Sequence, residues 1–414
     1  VKQVPTVTVH DQIDELAEIN SDPGAGGITR EVFTPDYMRA NEFVCGLMEQ
    51  AGLAVTVDSF GNLYGRVEGS DPDAAAILTG SHIDTTLNAG RYDGVLGVLG
   101  GIEAVRRLLI DGWQPRRSVE VVCFAGEEPR FGSGCIGSRV MVGTLERREL
   151  DTMRDRDAIS IAEAMRSVGL DPDRVGEARL DPARVGAFVE LHIEQGNVLE
   201  TARIPVGVVT HIAAPHDLLV TIKGFAAHAG ATPMGARQDA LAGACELVVD
   251  LERLASGSRS GSTVGTVGVI SARPGAINVI PGEVELQVDI RDHDLETRTA
   301  VVDAFLWAVR TVTTRRGLEY DVKTITRDEP AACSEVVVGA ARDACRELEI
   351  DFMEIVSGAY HDAMVLGAQI PIGMIFVPSA RGISHSPHEY TAPEEVERGV
   401  QVLAGTLRIL AEQP

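Results

Sequence analysis

The sequence predicts an α/β protein: a mostly parallel sheet covered by helices, interrupted by an inserted ferredoxin-like α+β domain. Three observations predict this. In the first half, apolar strand-like runs alternate with helical periods, the pattern of a parallel sheet covered on both faces. After Ala213 the order becomes strand–helix–strand–strand–helix–strand, which is the ferredoxin-like arrangement with antiparallel strands. After about Arg327 the alternation returns. The expected division is 1–213 and 330–414 for the two parts of the sheet domain, and 214–329 for the insertion.

The elements follow in order. Ala74 to Leu78 is a short apolar run that ends in TGSHID. Val95 to Ile110 carries Leu99, Ile102, Val105, Leu108 and Leu109 at helical spacing. Val119 to Ala125 and Val185 to Ile193 read as strands. In the insertion, strands are expected at Asp217–Lys223, Val264–Ser271, Val284–Arg291 and Tyr320–Ile325, with helices at Arg237–Leu254 and Leu295–Val312. Val284, Leu286, Val288 and Ile290 alternate cleanly, so one face of that strand is apolar. SGSRSGS, from Ser256 to Ser262, reads as a loop inside the domain. A helix near Glu335–Leu348, a strand near Ile372–Val377 and a helix from Pro393 close the chain.

Composition narrows the function. The chain has 414 residues, 61 Asp+Glu against 37 Lys+Arg, and a formal net charge of −24. That balance argues against nucleic acid, which needs a basic patch, and against anionic membranes. Hydrophobic residues at 44% suffice for a sizeable core, and aromatics at 4% disfavour stacking platforms. The six cysteines are scattered without a CxxC pair, which reads as a reduced, cytoplasmic protein. VKQVPTVTVH shows no signal-peptide pattern, and no apolar run is long enough to span a membrane.

In parallel sheets, ligands bind beyond the carboxyl ends of strands, and the polar clusters fall there. His82 and Asp84 lie two apart in an extended segment, Asp93 follows in GRYDG, and Glu127 and Glu128 end a strand. His192 ends another strand in ELHIEQG, and His385 sits in GISHSPHEY after the strand ending at Val377. Imidazole and carboxylate donors suit zinc, and also manganese, cobalt or nickel. A lone histidine or an adjacent Glu pair is ordinarily structural or solvated. Three such clusters at strand ends point to a two-metal site.

The motifs GSHIDT, GRYDG, FAGEE, ELHIEQG, HAGATPM, NVIPGEVELQVDIR, SGAYHDA and ISHSPHEYT run in order from about residue 10 to the C-terminus. They resemble the zinc amidohydrolases of the M20 metallopeptidase superfamily, in particular its N-carbamoyl-L-amino acid hydrolase, β-ureidopropionase and allantoate amidohydrolase branch. The resemblance implies two divalent ions per subunit, zinc first, with manganese, cobalt or nickel possible. Asp93 would bridge them, His82 and His192 would complete one, and Glu128 and His385 the other. Asp84 would orient His82, and Glu127 would be the general base. The insertion would be a lid and dimerisation domain, and His228 would stabilise an oxyanion in the other subunit of a homodimer. Asn278 and Arg291 would hold the substrate carboxylate; from the strand pattern alone, the favoured reading of Arg291 is a surface arginine paired with Glu285 or Asp289. Gln195 and His361 would be further polar contacts, although His361 reads equally well as a helix-start residue.

The expected reaction is hydrolysis of the carbamoyl C–N bond of N-carbamoyl-L-amino acids to amino acid, carbon dioxide and ammonia. Allantoate is the near alternative, and an N-acyl amino acid or dipeptide the more distant one. A non-catalytic ligand-binding descendant would have lost a metal ligand or the base, and all six of those positions are filled here. Four features depart from the family pattern: the shortened Pro129-Arg130-Phe131 segment, Tyr360, His211 and His216. They bear on the shape of the substrate pocket. His10, His216, His293 and His388 receive no role.

Overall fold

The structure is a computed structural model that describes residues 8–413. Val1–Val7, which contain most of the segment inspected for a signal peptide, lie outside the described residues. Two compact units are present. One comprises the chain through Thr210, Ala332–Ser357 and the chain from His361 on; the other comprises His211–Ala331 with Gly358–Tyr360.

The larger unit is built on a mixed sheet. Its strands are β1 (Ala54–Val57), β2 (Leu63–Val67), β3 (Ala76–His82), β4 (Val119–Phe124), β5 (Val185–Ile193) and β6 (Val206–Ile212). β4, β3, β5 and the late strand Ile372–Val377 lie side by side and parallel. β1 and β2 continue one edge antiparallel, and β6 runs antiparallel on the other side. The parallel centre fits β3 and β5, which are buried along nearly their whole length with no alternation of buried and exposed positions. The helix Val95–Ile110 packs on them through its glycines: a Cβ at Gly97 would lie 2.5 Å from the Leu191 carbonyl oxygen.

The smaller unit has the ferredoxin-like order. β7 (Ala214–Lys223), β8 (Ala227–His228), β9 (Val264–Arg273), β10 (Val279–Ile280), β11 (Glu283–Asp292) and β12 (Glu319–Arg327) are its strands. The four long ones form an antiparallel sheet in the order β12-β7-β11-β9. Val284, Leu286, Val288 and Ile290 point inward against Leu247 and Leu251 of the helix Ala240–Ser256 and Phe305 of the helix Leu295–Arg316. The first of these helices starts at Ala240 rather than at the expected Arg237, because the Asp239 carboxylate accepts the Ala242 N–H at 3.0 Å and caps it there. β8 and β10 form a separate two-residue ribbon that sets His228 opposite Val279.

Three further strands complete the chain: β13 (Ala331–Ala332), β14 (Phe352–Ser357) and β15 (Ile372–Val377). Among the described residues no helix is long and apolar enough to cross a membrane. The six cysteines form no disulfide.

Candidate metal centre

Four segments of the larger unit converge beyond the carboxyl ends of β3, β4, β5 and β15. His82 is the last residue of β3, and His192 lies one residue from the end of β5. Glu127 and Glu128 follow β4 after Gly126, whose φ of +78° turns the chain. Asp93 precedes the helix that starts at Val95. Gly94 between them has a φ of +66°, and a Cβ there would strike the His82 ring at 2.4 Å. Only glycine lets Asp93 and the helix start approach His82 this closely.

The two oxygens of Asp93 face two different sets of donors. Oδ1 lies 3.6 Å from His82 Nε2 and 3.2 Å from His192 Nε2. Oδ2 lies 3.2 Å from His385 Nε2, and that same nitrogen is 3.5 Å from Glu128 Oε1. His82, Asp93 and His192 thus offer three ligand atoms within 4.8 Å of one another, as do Asp93, Glu128 and His385. A third such group, Glu190, His192 and His361, shares His192. His82 Nδ1 sits 3.0 Å from the Asp84 carbonyl and His192 Nδ1 sits 2.9 Å from the Ile193 carbonyl. Nδ1–H therefore donates to the backbone in both rings, leaving Nε2 of each turned toward Asp93.

Asp84 lies against the His82 ring, its carboxylate Oδ1 3.7 Å from His82 Nδ1. Its backbone carbonyl meets the ring, while its carboxylate accepts the N–H of Glu127 at 3.3 Å and of Glu128 at 3.0 Å. It therefore anchors the Glu pair as well as His82. The two Glu side chains diverge: Glu127 Oε2 lies 3.6 Å from His82 Nε2, and Glu128 faces His385. The Cys135 thiol donates to Glu127 Oε1 at 3.5 Å.

The electrostatics favour cations. Burial works to raise the Asp93 carboxyl, yet hydrogen bonds from His192, His385 and His82 outweigh it and hold it well below the carboxylate range. Burial works to lower His82 and His192, yet the facing carboxylates raise both. The Asp93 hydrogen bond pushes His385 up to about 9. Burial, with Asp93 beside it, pushes Glu128 up to about 7, and burial with Glu128 nearby raises Glu127 well above its usual value. His82, His192 and His385 are thus drawn toward their positive form by an excess of buried carboxylates. A set of imidazole and carboxylate donors in such a field fits divalent transition-metal ions.

The other predicted residues separate into two settings. Gln195 joins the cluster: its Nε2 donates to Asp93 Oδ2 at 2.7 Å. His361 is 2% exposed, begins the short helix Asp362–Leu366, and holds Ser357 Oγ at 3.0 Å. Its ring meets His192 edge-on with centroids 4.6 Å apart, and burial pushes it well below the usual histidine range. His228, Asn278 and Arg291 belong to the smaller unit. His228 is exposed, and its Nδ1 accepts the N–H groups of Gly230 at 3.1 Å and Ala231 at 3.2 Å, so the proton sits on Nε2 and faces outward. Asn278 is exposed on the facing segment just before β10, its carbonyl accepting the Ala229 N–H at 2.9 Å. Arg291 pairs with Asp289 at 2.8 Å.

The departures are also placed. Arg130 donates to Asp155 at 2.9 Å, and together with Pro129, Asp84 and Glu128 it lines a pocket of about 200 Å³. The Tyr360 hydroxyl donates to Asp328 at 3.1 Å, and His211 lies beside His293 with ring centroids 5.2 Å apart. The sequence reading gave no role to Glu190, Ser384 or Glu389, which contact this cluster. Ser384 and Glu389 lie inside ISHSPHEYT, one residue before and four after His385, and that proximity was the available signal.

Residues 78–409 match the sequence profile of peptidase family M20/M25/M40. The chain is 46% identical over 399 residues to the N-carbamoyl-L-amino acid amidohydrolase of Geobacillus stearothermophilus, covering 96% of this chain and 97% of that protein. It is 41% identical over 407 residues to the ureidoglycolate hydrolase of Oryza sativa subsp. japonica, covering 97% and 84%. The crystal structure of an amidase of the hydantoinase/carbamoylase family from Burkholderia multivorans superposes with a TM-score of 0.90 at 34% identity, covering 99% of this chain and 100% of that one. The chain is a member of peptidase family M20/M25/M40.

Proposed function

We propose that this chain is a binuclear metal-dependent amidohydrolase that cleaves the ureido C–N bond of N-carbamoyl-L-amino acids, giving amino acid, carbon dioxide and ammonia. The observation that carries this reading is the split Asp93 carboxylate, with one oxygen on His82 and His192 and the other on His385. Relatives that act on small ureido or amide substrates support the reaction class.

In this reading His82, Asp93 and His192 hold one ion, and Asp93, Glu128 and His385 the other. When bound, such ions would supply Lewis-acid polarisation of the scissile carbonyl and a lowered pKa for an attacking water. Glu127 takes the proton of that water and returns it to the leaving nitrogen. The carbamate left behind loses carbon dioxide. Gln195 and His361 are assigned to polar contacts with the substrate. The smaller unit supplies the groups that meet the rest of the substrate. Arg291 binds the carboxylate with its planar guanidinium, and Asn278 orients the same end. The outward Nε2–H of His228 donates to the tetrahedral oxyanion.

We further assign the smaller unit to a homodimer in which His228 serves the partner's site. β9 supports this as an edge strand with Val264, Val269 and Ile270 between 45% and 52% exposed, a surface that invites pairing with another chain. We also assign the protein to the cytoplasm, a reading supported by its six scattered cysteines without a CxxC pair.

The ureidoglycolate reading is the second one, favoured by the rice relative at 41% identity over 97% of this chain. A substrate panel on metal-reconstituted enzyme, read by ammonia release, decides. It contains carbamoyl, formyl and acetyl L-amino acids, ureidoglycolate and allantoate. Preference for carbamoyl amino acids is expected. Preference for ureidoglycolate or allantoate moves the substrate but keeps the reaction class. Turnover of acyl amino acids alone, without ammonia, refutes the ureido assignment.

A further inference from the structure

The second group of ligands has a weakness the first does not share. His82 and His192 stand on strands, with their rings fixed by backbone carbonyls. His385 stands on a loop, is 51% exposed, and has a left-handed φ of 53°, a conformation that a non-glycine residue keeps only when its surroundings hold it. Something must fix this loop against Asp93.

Glu389 does so from both sides. It is 5% exposed. Its Oε1 accepts the N–H of Tyr92 at 2.8 Å and of Asp93 at 3.1 Å. Its Oε2 is 2.8 Å from the Ser384 hydroxyl, which also lies 2.8 Å from Asp93 Oδ2. One carboxyl group therefore touches Asp93 at its backbone directly and at its side chain through Ser384. Space has been left for it: a Cβ on Gly90 would lie 2.2 Å from the Glu389 carboxyl. Ser384 and Glu389 flank His385 in the chain, so the same contacts set the distance from His385 to Asp93 Oδ2.

We infer that Glu389 and Ser384 are the positioning pair of the second metal group, locking the His385 loop onto Asp93 across 296 residues of sequence. This rests on the two-ion reading above. It implies an asymmetry: loss of the pair weakens the ion at Asp93, Glu128 and His385 and spares the ion at His82, Asp93 and His192.

Calorimetric titration of chelator-stripped protein with Zn²⁺ tests it, with His82→Ala and His385→Ala identifying which binding step belongs to which group. Glu389→Ala is expected to weaken the His385-dependent step by roughly 10–100-fold, as loss of outer partners of metal ligands does, and to change the His82-dependent step by less than about threefold. Glu389→Gln is expected to keep both steps, because its amide oxygen still accepts the two N–H groups and its amide nitrogen can donate to Ser384. Equal weakening of both steps, or a Gln variant as damaged as the Ala variant, overturns the inference. If Glu389→Ala fails to fold by circular dichroism, Ser384→Ala decides: selective weakening of the His385-dependent step supports the pair, and unchanged titration refutes it. A wild type that takes up one ion, or a His385→Ala titration identical to wild type, overturns the two-ion reading and this inference with it. Two normal steps in Glu389→Ala overturn the inference alone.

Discussion

In the larger unit His82, Asp93, Glu128 and His192 are between 1% and 6% exposed and crowd within a few ångströms of one another. In the smaller unit His228 and Asn278 lie in solvent, and Arg291 is held by its neighbour Asp289. Burying so many carboxylates costs several kcal/mol per ion unless opposite charge accompanies them. The larger unit is thus committed to cations by its fold, whatever substrate it meets. The residues of the smaller unit carry no such cost. In the proposed function they meet the substrate, and their substitution is expected to leave the fold in place.

Substitutions that separate these two behaviours break or sharpen the comparison. The largest effect is expected from Asp93→Ala, which removes the carboxylate shared by both groups. Metal content by elemental analysis should fall at both, and turnover should drop below detection; a variant that keeps two ions and measurable turnover contradicts the shared-ligand reading. Glu127→Gln should keep metal near wild type and lose roughly a thousandfold in kcat. Near-normal turnover would remove Glu127 from the role of base.

The smaller unit should respond differently. His228→Ala should keep both metal content and thermal stability while kcat falls about a hundredfold. If His228 works in the partner's site, mixing His228→Ala with Glu127→Gln subunits should restore roughly a quarter of wild-type activity, because about half of randomly mixed dimers are hybrids with one intact site each. No recovery, with hybrids confirmed by native mass spectrometry, would place His228 in its own chain's site or outside catalysis. The smallest effect is expected from Arg291→Lys, which keeps charge and loses the planar fork. KM for carboxylate-bearing substrates should rise about tenfold, with the corresponding amides unaffected. Equal losses on both would mark Arg291 as structural.

Much of this was legible before folding was considered. β3 and β5 are buried along their length and each carries an apolar run, Ala76–Leu78 and Ala187–Val189, and His82 and His192 stand out at or near their ends. The helix Val95–Ile110 matches its expected bounds because its apolar period runs unbroken from end to end. β1 and β2 were not legible: they are short, lie at or next to the sheet edge and are only partly buried, so their pattern is weak. Glu389 could be seen in its motif but not understood there. Its partners Tyr92 and Asp93 are about 300 residues away, and spacing along the chain carries no trace of that pairing. For Arg291 two readings were open, and its pairing with Asp289 is compatible with both.

The central claim is that Asp93 serves two ions with its two oxygens. Crystals of zinc-reconstituted protein, measured on both sides of the zinc absorption edge, test it most directly. The account predicts two anomalous peaks per chain, one against His82 and His192 and one against Glu128 and His385, with an Asp93 oxygen on each. A single peak, or two peaks of which only one touches Asp93, would contradict it.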